Sequence, residues 1–258
     1  MTATLSDDAA AAAIDAACRI LHLPTVRAEA GQVADAAVRD RLTHRAYLAE
    51  LLASETDVRD LRRRQRRIKE ARFPRIKTLE QFEPSATPDI PAALLTTLAS
   101  GAWIDRGEPL VLLGDSGTGK SHLLIALGLA ACHQGRSVRY ITAAGLVNEL
   151  VEAADDRQLA KTVARYGRID LICLDELGYL HLDDRGAELL FQILTEREER
   201  ASVAVASNAP FSEWGATFTD PRLAAAVVDR LTFNAHILST GTDSYRLRTT
   251  TRGTATTH

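Results

Sequence analysis

The chain has 258 residues, 46% of them hydrophobic and 25% charged, with a net charge of −3. That mix indicates an ordinary globular protein with room for one full α/β domain and a smaller appendage, and it excludes a collagen-like or wholly disordered chain. Three cysteines (Cys18, Cys132 and Cys173) without paired spacing argue against a disulfide framework and a zinc site, and no apolar run approaches the ~20 residues of a membrane span.

The start, MTATLSDDAA, has no basic segment leading into an apolar core, so no secretory signal is read. The expectation is a cytoplasmic protein without membrane contact. A helix is predicted over 7–23, alanine-rich, with Ile14, Ala17 and Leu21 on one stripe and Pro24 as its stop. A second is predicted over about 34–53, with Val38, Leu42, Ala49 and Leu52 on its inner face. Ser54-Glu-Thr-Asp57 has the form of a loose capping box, so a third helix should begin at Glu55. Its apolar positions, Val58, Leu61 and Ile68, form only a thin stripe, as on a surface helix or one completed by a partner.

That third helix carries the densest run of basic charge. Between Arg59 and Lys77 stand ten basic and two acidic residues, a net +8, which leaves −11 for the remainder of the chain. An acidic protein with one concentrated basic segment invites a polyanionic partner. Arg59, Arg62, Arg63, Arg66, Arg67 and Lys69 are the candidates for contact with DNA phosphates. A solvated helix face and a docking surface for an acidic protein remain open alternatives. No helix-turn-helix or zinc finger is visible, so contact would be with backbone and shape rather than base edges.

Four prolines between Pro74 and Pro91 mark an extended linker. Beyond it the pattern changes to strand–helix alternation. Short β-like runs are predicted at 110–113, 137–141, 169–174 and 202–207, with helices over 120–134, 143–154 and 184–200. The alternation predicts a mostly parallel sheet covered by helices. One more helix and a short strand follow from 221 to about 248, and the polar tail 249–258 should be disordered.

Gly114-Asp115-Ser116-Gly117-Thr118-Gly119-Lys120-Ser121 matches G-x-x-x-x-G-K-[ST] in full, between an apolar strand and a helix. Such a loop turns successive N–H groups toward phosphate. Lys120 would reach the β- and γ-phosphates, and the Ser121 hydroxyl would ligate Mg²⁺. His122 completes the candidate nucleotide-binding set. LICLDE is a buried strand ending in two carboxylates. Asp175 is suited to the Mg²⁺ shell, and Glu176 to activating a water in line with the γ-phosphate, a role that a small-molecule kinase would not need. Asn208, at the end of SVAVASN, would either reach the attacking water or cap the turn before Pro210. A chance glycine turn and two solvated carboxylates are the competing readings.

Two longer runs, DELGYLHLDDRGAELLFQILTEREER and SNAPFSEWGATFTDPRLAAAVVDRLTFNAHILSTGTDSYRLR, resemble the IstB-like family. These are AAA+ ATPases of insertion sequences that assist a transposase, related to DnaC helicase loaders. RILHLPTVRAEA and RIKEARFPRIKTLEQFE extend the likeness back to about Ile20. The resemblance implies an α/β fold: an AAA+ P-loop NTPase core of parallel sheet flanked by helices, with a small α-helical N-terminal domain. The expected divisions are 1–73 for that domain, 74–93 for the linker and 94–248 for the ATPase domain. It further implies ATP and Mg²⁺ as cofactors, ATP-dependent self-assembly, and double-stranded DNA and a cognate transposase as partners. By resemblance, Lys120, Asp175, Glu176 and Asn208 are catalytic, Arg230 is an arginine finger acting on a neighbouring subunit, and Arg246 is a sensor arginine acting in cis. Two other activities stay open: a DnaC-like helicase loader, which shares these residues, and a nucleotide-gated adaptor without significant hydrolysis.

Overall fold

The computed structural model describes residues 6–83, 90–178 and 181–242. The chain divides into two compact units between Arg66 and Arg67, earlier than the expected boundary at 73. In the first unit α1 (Asp7–Leu21) begins at Ser6, whose hydroxyl accepts from the Ala9 N–H, and ends at His22 in a left-handed conformation. Pro24, expected as a helix stop, instead opens α2 (Pro24–Arg39). Proline suits a first helical turn because the N–H it lacks would have had no intrahelical partner there.

The single helix expected over 34–53 does not form. The chain turns after α2, with Arg41 at φ 54°, and restarts as α3 (His44–Ala71), inside which the division between the units falls. Ser54 lies within α3 rather than capping it, and its hydroxyl donates to Glu29 Oε2 at 2.6 Å. The break resets the helical phase, so the expected inner face is wrong: Val38 is 80% exposed, and Leu42 and Leu52 are exposed too. The small core uses Cys18, Val26, Ala30 and Leu51 instead.

Glu55, also buried, joins α3 to α2. Its Oε2 accepts the Thr25 and Val26 N–H groups at 2.7 and 3.1 Å, which caps the start of α2 from another helix. Its Oε1 accepts from Arg59 Nε at 2.8 Å, and Arg59 also donates to the His22 carbonyl.

In the second unit α4 (Ala92–Ala99) and α5 (Ala102–Asp105) precede β1 (Leu110–Leu113). Then come α6 (Lys120–His133), β2 (Val138–Thr142), α7 (Ala143–Asp155), α8 (Leu159–Gly167) and β3 (Leu171–Leu177). The rest is α9 (Asp184–Arg197), β4 (Ser202–Ser207), α10 (Trp214–Thr217), α11 (Pro221–Thr232) and β5 (His236–Ser239). The sheet order is β2-β3-β4-β1-β5, and every pairing is parallel.

Such a sheet is buried on both faces, which explains why its strands read as continuous apolar runs. Side chains alternate between two cores. Val111, Ile172, Leu174, Val203 and Val205 face α7–α11, while Leu110, Leu112, Leu171, Cys173, Ala204 and Ala206 face α4–α6. Phe82, from the expected linker, is buried in the second of these cores.

At the end of α9 stands Arg197, only 1% exposed. It donates to the carbonyls of Tyr166, Asp170 (3.3 Å) and Ser202 (2.7 Å), binding the starts of β3 and β4 to α8 and α9. Burial pulls its pKa down to about 10.

Candidate nucleotide-binding site

In a parallel sheet the ligand crevice lies beyond the C-terminal ends of the strands, and three candidate segments meet there. The phosphate loop follows β1. Asp175 and Glu176 close β3. Asn208 follows β4, which pairs with both β1 and β3. The register fixes this placement, because Ser207 of β4 lies opposite Leu113 on one side and Leu177 on the other.

Gly114 has φ 149°, and a Cβ there would lie 2.4 Å from Thr240 Oγ1. The crowding reflects how the loop is anchored. Asp115 N–H donates to the Gly241 carbonyl at 3.1 Å, and the Thr118 and Thr240 hydroxyls are 2.6 Å apart. Gly119 is the N-cap of α6 at φ 101° and brings no side chain to satisfy the first-turn N–H groups. An uncapped helix start carries partial positive charge and donors aimed outward, which fits a phosphate. Lys120 folds back to donate to the Gly114 and Asp115 carbonyls at 2.6 and 2.7 Å. His122 donates to the Thr78 carbonyl at 2.9 Å and meets the Phe82 ring edge-on at 5.5 Å. The 78–82 segment therefore walls the loop, a contact that no motif announced.

At β3 the register slips between Leu174 and Leu177, where one extra residue bulges out. Glu176 is that irregularity: it adopts φ 62° and is exposed beside the 3%-exposed Asp175. Bulges re-aim side chains, and here two successive carboxylates end in different surroundings. Asp175 Oδ1 accepts from the Glu176 N–H at 2.9 Å, and Oδ2 from the Tyr140 hydroxyl at 2.6 Å. Tyr140 was read only as part of a β-like run. Ser121 and Asp175 offer the hard oxygen donors that suit Mg²⁺. Asn208 Oδ1 is buried beside Gly178 and has no hydrogen-bond partner among the described residues, and Asn208 follows the strand that lies between those of the loop and the carboxylates.

Arg230 is not brought to this edge. It lies toward the end of α11, its Nε 3.2 Å from Glu198 Oε2 and its guanidinium 4.3 Å over the Phe191 ring. It lines a cavity with Arg106, Glu108, Leu194, Arg197 and Glu198, at the ends where β1, β4 and β5 begin. Arg246 lies outside the described residues. Among the basic-helix candidates, Arg59 is engaged within its own unit as described, and Arg63 lies 3.5 Å from Asp60. Arg62, Arg66 and Lys69 are exposed, and Arg67 is half-buried.

A family model described as IstB-like ATP binding protein matches residues 16–253. The chain is similar to an ATP-binding protein of insertion sequence IS21 from Pseudomonas aeruginosa, 36% identical over 212 residues, covering 82% of this chain and 80% of that protein. It is also similar to the IS5376 ATP-binding protein of Geobacillus stearothermophilus, 35% identical over 231 residues, covering 90% and 92%. Among solved structures, AMPPCP-bound DnaA from Aquifex aeolicus superimposes with a TM-score of 0.57 at 21% identity, covering 71% of this chain and 55% of that one. The fold is that of the AAA+ P-loop ATPases.

Proposed function

The chain belongs to the IstB-like ATP-binding protein family, and from that premise we propose that it is a Mg²⁺-dependent ATPase that assembles on duplex DNA and directs a cognate transposase to it. The observation that carries the reading is the meeting of three parts at one sheet edge: the uncapped loop before α6, the Asp175–Glu176 bulge, and Asn208 at the end of the strand between them, its oxygen without a partner among the described residues.

Backbone N–H groups of 114–121 and the start of α6 bind the phosphates, and Lys120 leaves its two carbonyl acceptors for the β- and γ-oxygens. Ser121 and Asp175 would hold Mg²⁺, which would supply charge neutralisation at those oxygens. Glu176, exposed by the bulge, takes a proton from the attacking water, and Asn208 orients that water. Phosphoryl transfer passes through a loose transition state whose charge a further arginine can stabilise, by about 10³- to 10⁵-fold in rate. Arg230 sits at the far end of the strands, so it serves a neighbouring subunit's nucleotide rather than its own. Arg246 acts in cis by family analogy. Hydrolysis removes the γ-phosphate that joins neighbours and so releases the assembly.

The exposed arginines of α3, with Arg67 and Lys69, contact DNA phosphates. Arg59 contributes to the fold instead, since it already holds Glu55. The setting is the cytoplasm by analogy with the family, and no helix among the described residues is long and apolar enough to span a membrane. The test is ATP hydrolysis by the purified chain, with and without Mg²⁺ and duplex DNA. Turnover that needs Mg²⁺, rises with DNA and disappears in Lys120→Ala supports the reading. A chain that binds ATP but never hydrolyses it would leave a nucleotide-gated adaptor.

A further inference from the structure

We propose that Tyr140 is a positioning residue that aligns Asp175 for Mg²⁺ through its hydroxyl. The inference deepens the preceding reading and rests on it, since it takes Asp175 to be a metal-shell carboxylate. Tyr140 stands on the edge strand β2 opposite Cys173, two residues before Asp175 on β3. A strand rises ~3.3 Å per residue, so a side chain at this position must reach about 6.6 Å along the sheet to touch Asp175. Tyrosine has that length and ends in a donor, and its hydroxyl lies 2.6 Å from Asp175 Oδ2.

The ring is braced. Phe73 packs against it with centroids 6.2 Å apart at 58°. Phe73 is itself seated over Gly128 of α6, where an added Cβ would lie 3.0 Å from the Phe73 ring and from Cys173 Sγ. A phenol is protonated at neutral pH and a carboxylate only accepts, so the Tyr140 hydroxyl is the donor of its pair with Asp175.

Asp175 is thus held at both oxygens, by Tyr140 on Oδ2 and by the Glu176 N–H on Oδ1. Removing the hydroxyl keeps the second bond but leaves the carboxylate free to turn about it. Outer partners of metal-binding carboxylates typically change metal affinity 10- to 100-fold when lost.

The test uses the full chain and Tyr140→Phe, titrated with a fluorescent ATP analogue in Mg²⁺ and in EDTA. The expected result is an unchanged affinity in EDTA and a loss of about tenfold in the affinity gained from Mg²⁺, with a matching rise in the half-saturating Mg²⁺ concentration. Tyr166→Phe is the control. It removes a part-buried hydroxyl from another carboxylate, Glu149 at 2.7 Å, and should leave the Mg²⁺ gain intact. Phe73→Leu keeps the hydroxyl while loosening its brace, and should shift the Mg²⁺ requirement the same way by less. An unchanged gain in Tyr140→Phe would overturn the proposal. So would an equal loss in EDTA, or an equal effect of Tyr166→Phe. A wild-type affinity indifferent to Mg²⁺ would overturn the metal reading of Asp175 itself, and the wild-type titration reports that separately.

Discussion

Glu176 holds its place at the cost of backbone strain. A residue other than glycine at φ 62° is disfavoured by about 1–2 kcal/mol, and such positions gather where a side chain must be aimed. Two outcomes follow. Glu176→Gln should bind ATP normally and lose about 10²-fold or more in turnover, as read in a steady-state phosphate-release assay; normal turnover would assign the base elsewhere. Glu176→Gly should be inactive yet more stable to thermal unfolding, by about 0.5–1 kcal/mol. The identity of this pair was legible in LICLDE, because an apolar run ending in two acids is a local pattern. Its geometry was not, because the bulge depends on pairing with β4. The same holds for Tyr140, which acquires its role only from the β2–β3 register.

Charge far from the loop also has a measurable signature. The Arg106 guanidinium grips Glu108 at 2.5 and 2.8 Å, and His236 adds a contact at 2.9 Å. Against the opposing effect of burial, these hold the carboxyl pKa down to about 2 from its ordinary 4.5. The resulting stabilisation is complete above pH 4.5 and is lost as the pH falls toward 2. Allowing for solvent screening at the exposed Arg106, it amounts to about 1–2 kcal/mol. Denaturant titrations should show Glu108→Gln weaker than wild type at neutral pH and converging with it in acid. A constant difference across that window would show that the group matters by packing rather than by charge.

At the scale of elements, the N-terminal helices show where reading one residue at a time fails. Pro24 and Ser54 both carry punctuation, yet proline both stops helices and starts them, and serine both caps them and bonds sideways. The choice is made by Glu55, thirty positions from the amide it caps, a distance that no local window spans. Glu55→Ala should cost about 2–3 kcal/mol in chemical denaturation, since it strands two amides and removes the ion pair with Arg59; a loss below ~0.5 kcal/mol would remove the capping account. The basic run, by contrast, was plain as a count of charges. If about five of these residues meet phosphates, log K for duplex binding should fall with log salt at a slope near −4.5. Neutralising Arg62, Arg63, Arg66 and Arg67 together should flatten that slope, and an unaltered slope would place DNA elsewhere on the chain.

Over the whole molecule, strand–helix alternation was enough to predict a parallel sheet. The order β2-β3-β4-β1-β5 was not readable from residues alone, although it is what puts Asn208 between the loop and the carboxylates. The proposed action of Arg230 on a neighbour belongs to this scale, because the candidate nucleotide site of its own chain lies at the opposite strand ends. Mixing Arg230→Ala with Lys120→Ala should restore some of the activity each lacks alone, since the first retains an intact site and the second an intact arginine. The central claim, that the γ-phosphate joins neighbouring subunits around a double helix, is met most directly by sedimentation of the purified chain with duplex DNA in ATP and in ADP. Large DNA-bound assemblies in ATP that fall apart in ADP are the predicted result, and a monomer in every condition would contradict it.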